Sequence, residues 1–323
     1  MQQVTVRVPA STSNLGPGFD CLGVALCIYN SVTVTSGRLP EQPRPLIVSQ
    51  AAGRFFKQSR RRAFPFSFSI AEEIPRSRGL GGSATIRLGI LSALNRISGD
   101  PLDQLTMFQL CAELEGHPDN AAPATFGGFT VVGSAHRADS RKLARGRVRP
   151  TGGPSGQHGV PRFQRFEVSP RLYFVLLVPE LEIRTSIARK LLPSKISRAA
   201  AVENCANACA IAAAFASKDY QKLCGAFADY LHQPFRAKLM PFLVRVIAAA
   251  EKAGALGAFL SGSGSTIGAI TLKDPGRVAA AMKRAARLPS SRTIVTRADN
   301  RGARIMSFRN SQGVHPPRQA IRN

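Results

Sequence analysis

Residues 78–85, RGLGGSAT, constrain this chain more than any other stretch, because they set three glycines between a strand-like segment and an amphipathic helix. Glycine has no Cβ to block close approach of the backbone, and it enters the left-handed region freely. The N–H groups of a helix's first turn lack partners inside the helix, and together with the helix dipole they favour an anion. Upstream, residues 66–70 (FSFSI) alternate in the manner of a strand. Downstream, Ile86, Ile90, Ala93, Leu94 and Ile97 fall on one helical stripe, and Gly99 stands where a helix stops. Ser83 adds a hydroxyl at the helix start, able to reach a phosphate or a magnesium ion. No Lys–Ser/Thr pair follows the last glycine, so this is not a Walker A loop, and the glycine spacing excludes a dinucleotide fingerprint. Alone, the stretch fits a plain left-handed turn with a serine cap equally well.

The surrounding residues tip the balance. Residues 103–115 read as a helix in which Phe108, Cys111, Ala112 and Glu115 share a face, so Glu115 points inward and Glu113 does not. An enzyme that moves a phosphoryl group from a metal–nucleotide needs a carboxylate near the metal and polar groups around the acceptor oxygen. Glu115 suits the first task. Asp119 and Asn120, in the following HPDN segment, suit the second, with Asp119 as an orienter or a base. The structural alternative for that segment is a helix stop followed by an Asx-turn. A third small-residue loop, residues 260–266 (LSGSGST), lies between two short strands and offers consecutive N–H groups that can nest an anion.

At 323 residues the chain has room for two domains. Residues 2–8, 27–35 and 127–132 read as strands, 14–23 as a turn-rich loop and 47–56 as a helix. Residues 137–165 are rich in Gly, Pro, Ser and Arg without periodicity, the pattern of a mobile linker or insertion. A buried strand over 171–178 opens a second half, with helices expected over 186–192, 197–216, 220–230, 241–253 and 276–287. Strands are expected there over 258–260, 266–270, 293–296 and 303–308. The net charge of +25 gathers in residues 54–62, in 137–165 and in the tail from Arg301. None of these segments carries a helix-turn-helix, zinc-finger or RNA-binding strand pattern, so solvated surface is preferred to a nucleic-acid site. The six cysteines contain no CxxC pair and read as reduced, mostly buried thiols. No run approaches 18 apolar residues, which reads as a cytoplasmic protein without a membrane partner.

Three segments in this order, residues 9–20 (PASTSNLGPGFD), residues 75–85 with 115–120, and residues 260–266, resemble the three motifs of the GHMP kinases. Within that superfamily STSNLGPGFDCLG, EGHPDNAAPATFGGF, TSIARKLLP, and LHQPFR followed by GALGAFLSGSGST, resemble the homoserine kinase family. The likeness spans most of the chain outside residues 36–62 and 136–165. It implies an α+β, two-domain fold: an N-terminal domain like ribosomal protein S5 domain 2 over residues 1–165, with a basic insertion at 136–165, then a ferredoxin-like C-terminal domain over 166–310 and a flexible tail over 311–323. It also implies transfer of the ATP γ-phosphoryl group to the hydroxyl of L-homoserine, with Mg²⁺, in threonine biosynthesis; a homodimer is the family expectation.

Carried onto this sequence, Pro75, Arg76, Ser77, Arg78, Gly79, Leu80, Gly81, Gly82, Ser83, Ala84 and Thr85 would hold the nucleotide. Ser83 and Glu115 would hold Mg²⁺, and Glu115 and Asp119 would be the catalytic pair. Asn14, Asp20, His117, Asn120, Thr185, Arg189, Arg236, Gly262, Ser263 and Gly264 would line the acceptor site. Asp20 is the candidate for the substrate ammonium, and Arg189 and Arg236 for its carboxylate, because a guanidinium grips a carboxylate through two parallel bonds. Whether Asp119 takes the proton or only positions the hydroxyl stays open, since phosphoryl transfer runs well on positioning. Two other readings are another GHMP kinase for a different small alcohol and a weakly active relative that binds polyanions through its basic surface. Three positions depart from the family pattern: Gly82 stands in place of the first of two serines, Arg87 in place of a small or apolar residue, and Pro45 with Leu46 in place of an Asn–Leu pair near the adenine. These changes are expected to weigh on adenine affinity and turnover more than on the fold.

Overall fold

The computed structural model describes residues 1–37, 43–133 and 163–310. Most of the expected insertion and the whole tail over 311–323 lie outside the described residues. The chain opens with two long antiparallel strands, β1 (Gln2–Asn14) and β2 (Gly18–Ser36). The loop expected over 14–23 is therefore mostly strand. Only Leu15, Gly16 and Pro17 turn, with positive φ at Asn14, Leu15 and Gly16. The polar letters Ser11, Thr12 and Ser13 disguise the end of β1; all three are fully buried, because later loops supply their hydrogen-bond partners.

At 19 residues β2 is long enough to pair twice along one edge. Its second half pairs with β3 (Phe66–Glu72), and Leu22, Gly23 and Val24 pair with β4 (Phe129–Val132). Beyond β4 lies β5 (Phe163–Phe166), so the end of the expected insertion belongs to the sheet, where Phe163 stacks on Phe126 at 4.4 Å. Four helices attach to this sheet: α1 (Leu46–Ser59), α2 (Gly82–Ile97), α3 (Gln104–Glu115) and α4 (Ala121–Phe126). The period-2 pattern explains the seam: Val4, Val6, Val8, Val32 and Val34 all point at Val48, Phe55, Leu88 and Leu91 of the helices.

The second sheet runs β7 (Gly257–Leu260), β8 (Ile267–Thr271), β6 (Tyr173–Pro179), β9 (Ser291–Thr296), all antiparallel. With the helices between its strands, this is the βαββαβ order of a ferredoxin-like unit. β6 is apolar throughout because both of its faces are covered. Phe174 and Leu176 join a core shared with Phe129 and Phe259, while Val175 and Leu177 pack with Val246, Val278 and Met282 of later helices. The last described strand, β10 (Arg304–Asn310), leaves this unit and returns to β1, giving the first sheet the order β10-β1-β2-β4-β5. A division at residue 165/166 thus cuts through β5 and separates β10 from its sheet. The two crossings between the layers run side by side, where Asn300 bonds both the N–H and the carbonyl of Val168, each at 2.9 Å.

The remaining helices are α5 (Thr185–Lys190), α6 (Arg198–Ser217), α7 (Gln233–Arg236), α8 (Leu243–Lys252) and α9 (Pro275–Ala286). The helix expected over 220–230 is only a 3₁₀ turn, Tyr220–Leu223, broken before Gly225 with its φ of 80°. By length and composition α6 is apolar enough to cross a membrane, though Glu203, Asn204 and Asn207 interrupt its apolar run. Its apolarity is mostly alanine, and its larger residues Ile211 and Phe215 face inward, Phe215 stacking on Phe129 at 4.1 Å. The expectation of buried thiols also fails. Cys111 is buried and Cys21 half-buried, but Cys27, Cys205, Cys209 and Cys224 are exposed. Small apolar neighbours on α6 had suggested a core that lies on the helix's other face.

Candidate active site

A cleft of about 720 Å³ opens between the start of α1, strand β3, the glycine loop before α2, the end of α3 and the start of α5. Arg76, Ser77, Arg78, Gly79, Leu80, Gly81, Gly82 and Ser83 all line it. Gly81 caps α2 with φ 69°, and the helix's first turn holds no acidic residue. Thr85 N–H is the first to bond back, to Gly81 O, so the N–H groups of Gly82, Ser83 and Ala84 stand ahead of the ladder. Gly79, with φ 75°, is pressed on the third loop: Ser261 Oγ donates to its carbonyl at 2.7 Å, and a Cβ there would come within 2.1 Å of Ser261 O. Ser11 N–H donates to Leu80 O and Thr266 N–H to Arg78 O. The three sequence motifs therefore meet at one backbone junction.

Not every expected nucleotide residue faces the cleft. Ala84 and Thr85 are fully buried, and Thr85 Oγ1 is spent on Gly82 O at 2.7 Å and on Asn30 Nδ2 at 2.9 Å. Pro75 lies outside the lining. Ala84 turns its methyl into the core between sheet and helices, and Pro75 precedes the loop outside any helix.

Ser83 and Glu115 come together, with Ser83 Oγ donating to Glu115 Oε2 at 2.7 Å. Glu113 instead pairs with Arg54 at 2.5 Å on the surface. The other Glu115 oxygen is taken by Arg87, whose Nη1 donates to Oε1. Both donors beside the loop are hard oxygens, a hydroxyl and a carboxylate, which fit Mg²⁺.

The acceptor side shows a different pairing from the one expected. Asp20 and Arg189 hold each other, through bonds of 2.7 and 2.9 Å. Arg236 is buried, its Nη1 donating to Gly262 O at 2.9 Å and lying 3.3 Å from His232 Nδ1. Burial, followed by the positive charge of Arg189, lowers the Arg236 guanidinium to about 10. Both arginines lie 5.3 Å from the Phe19 ring centroid. His117 Nδ1 meets Asp119 Oδ1 at 2.5 Å. Burial alone would push the Asp119 carboxyl up, but the His117 bond and charge, with Ser13 and Arg189, hold it below the usual range. For His117 burial pulls down and Asp119 more than restores it, leaving the imidazole above its ordinary value. One ligand atom from each of Asp20, His117 and Asp119 falls within 4.8 Å of the others.

Asn120 accepts from Ser11 Oγ at 2.8 Å and donates to Ser13 Oγ at 3.2 Å, fixing the HPDN segment to β1. Asn14 is committed to structure: its Nδ2 donates to Gly262 O and its Oδ1 accepts from Asp20 N–H. Thr185 and Ser263 meet at 3.3 Å on the rim, and Gly264 N–H closes the third loop on Ser261 O. Sequence reasoning missed the apolar wall of Ile47, Phe68, Ile70, Ile74 and Ile86, and also Asn30 and Arg184. The alternation of β3 carried a signal for Phe68 and Ile70, since residues two apart share a face. It also missed Asp229, which caps α7 by accepting from the N–H groups of Leu231, His232 and Gln233.

A glycine loop at a helix N-terminus, a carboxylate beside it and an ion pair next to His117 define a small-molecule kinase of the GHMP class. The GHMP kinases N terminal domain matches residues 46–128, and the GHMP kinases C terminal domain matches residues 211–288. Homoserine kinase of Moorella thermoacetica is 36% identical over 274 residues, 81% of this chain and 85% of that protein. Homoserine kinase of Deinococcus radiodurans is 38% identical over 279 residues, 81% of this chain and 82% of that protein. The crystal structure of homoserine kinase from Cytophaga hutchinsonii shares the fold, with a TM-score of 0.78 at 24% identity, covering 94% of this chain and 97% of that one. This chain belongs to the homoserine kinase family.

Proposed function

We propose that this protein transfers the γ-phosphoryl group of ATP to the hydroxyl of L-homoserine, giving O-phospho-L-homoserine. The observation that carries the reading is the Asp20–Arg189 pair, with Arg236 on the same phenyl ring, next to His117, which lines the cleft. A zwitterion entering there offers an ammonium to Asp20 and a carboxylate to Arg189 and Arg236, replacing one internal ion pair by two charge-assisted contacts. An alcohol without the zwitterion would separate the pair and leave both charges unmet, which supports strong discrimination.

On the nucleotide side, the N–H groups of Gly82, Ser83 and Ala84 supply fixed positive dipoles for phosphate oxygens. The apolar wall around Phe68 and Ile70 suits a purine ring. Ser83 and Glu115 would hold Mg²⁺, which when bound neutralises charge on the phosphates. Asp119, a weak base pinned by His117, favours alignment of the hydroxyl over proton abstraction.

The deciding experiment is a coupled ADP-release assay of the purified protein with L-homoserine, L-threonine, L-serine and mevalonate, beside Glu115→Ala. L-Homoserine alone should saturate, and Glu115→Ala should lose turnover with an unchanged circular-dichroism spectrum. Equal turnover with mevalonate, or near-normal activity of Glu115→Ala, would overturn the proposal.

A further inference from the structure

Arg87, on α2 just outside the cleft lining, reaches Glu115, which lines the cleft. Its Nη1 donates to Glu115 Oε1 while Ser83 Oγ donates to Oε2. The two charged side chains are only 16% and 5% exposed, and Arg87 Nε is buried with no partner among the described residues. Both carboxylate oxygens are thus engaged, one by a neutral hydroxyl and the other by a cation that never loses its proton. Serine, glutamate and arginine form a closed, charge-balanced set where the function proposed above needs an open acid.

We propose that Arg87 is a resident cation that withholds Glu115 from free divalent metal, so that the site accepts the ion only together with nucleotide phosphates. This rests on the functional reading above, because it concerns the same corner. A lone dication would meet the guanidinium charge at close range in a partly dry pocket, where repulsion is several times stronger than in water. It would also draw a carboxylate oxygen from a guanidinium that already has one unmet donor, leaving a second. A metal–ATP complex is different, since its net charge is negative. Arg87 and the α2 N-terminus both attract it, and released Arg87 donors can turn to phosphate oxygens. Arg87 is therefore a positioning residue for the metal ligand, and its mark is coupling between metal and nucleotide binding.

The test is binding, followed through the electron paramagnetic resonance of free Mn²⁺, with and without a non-hydrolysable ATP analogue. Arg87→Gln keeps a hydrogen bond to Glu115 but removes the charge, whereas Arg87→Lys keeps the charge. Without nucleotide, Arg87→Gln should bind Mn²⁺ at least about tenfold more tightly than wild type or Arg87→Lys. Adding Glu115→Ala to Arg87→Gln should erase that gain, which separates this corner from the Asp20, His117 and Asp119 cluster. With the analogue, the wild type should bind Mn²⁺ far more tightly than alone. The inference fails if Arg87→Gln binds Mn²⁺ alone no better than wild type while both bind it with the analogue, or if Arg87→Lys behaves like Arg87→Gln. It fails as well, whatever the variants do, if wild type binds Mn²⁺ at Glu115 equally well with and without nucleotide. Loss of Mn²⁺ binding in the presence of the analogue by wild type and variants alike would instead overturn the functional reading, and this inference with it.

Discussion

Substitutions at two glycines three residues apart, Gly79 in the loop and Gly82 at the start of α2, should have opposite effects. Gly79 has φ 75°, and a methyl group there would sit 2.1 Å from Ser261 O and 3.0 Å from Gly264 O, both backbone atoms. Holding alanine in the left-handed region costs about 1–2 kcal/mol. The loop must also retreat, and with it goes the Ser261 Oγ bond to Gly79 O, about 1 kcal/mol more. Gly79→Ala should therefore lose about 2–3 kcal/mol of unfolding free energy. Because a shift of about 1 Å in a positioning element can reduce rate by about 100-fold, its kcat/KM for ATP should fall by about that factor. Gly82, by contrast, is helical without positive φ, and the nearest atom to its added methyl is Ile74 Cγ2 at 3.9 Å. Gly82→Ala should stabilise the protein by about 0.4–1 kcal/mol. Urea unfolding of the two variants beside wild type, with initial rates against ATP, measures both arms. If Gly79→Ala unfolds with the wild-type midpoint, or both variants shift in the same direction, the junction of the two loops does not constrain the site as described.

Three further expectations follow from the site. Arg189→Ala should raise the KM for homoserine by tenfold or more and leave the KM for ATP nearly unchanged, the scale of a lost charged hydrogen bond of about 1.5–3 kcal/mol; an unchanged homoserine KM refutes the contact. His117→Asn should cost most stability between the ordinary values of 3.8 for Asp119 and 6.5 for His117. The His117 contribution is complete below that upper value and disappears as pH rises through its raised folded value, and the Asp119 contribution is complete above the lower one and is lost as pH falls through its depressed folded value. Denaturation curves at pH 6 and pH 9 should show a larger gap between variant and wild type at pH 6. Finally, a thiol reagent at neutral pH should label Cys27, Cys205 and Cys224 quickly, Cys209 less quickly because burial and then the Cys205 thiol push it up, Cys21 slowly because burial first, then nearby acids, push its thiol up to about 11, and Cys111 only on unfolding; fast labelling of Cys111 would contradict its burial.

Much of the site was legible because its parts are local. The glycine loop, the inward turn of Glu115 against the outward Glu113, and the Gly99 stop each depend on residues within a few turns of one another. Pairings across the chain were not. Asp20 and Arg189 were assigned to opposite ends of a substrate, and nothing in either segment announces that they hold each other. The strand expected over 2–8 stopped short of Ser11, Thr12 and Ser13 because polar letters usually mean water, whereas here Asn120, Ser261 and Gly262 satisfy them from distant elements. The return of β10 to β1 is invisible for the same reason: an open strand edge records no choice among the later strands that can fill it. Arg87 was noticed as a departure, but only its distance from Glu115 gives the departure a chemical meaning.

The paired crossings laced by Asn300 bear on how ligands enter. Two covalent connections side by side, backed by the apolar seam of Phe129, Phe174, Phe215 and Phe259, weld the layers into one body with little freedom to gape. Admission of substrates then falls to the rim. There α5 buries only Ala188 and leaves Ile187 49% exposed, so this short segment is held less firmly than the layers beneath it.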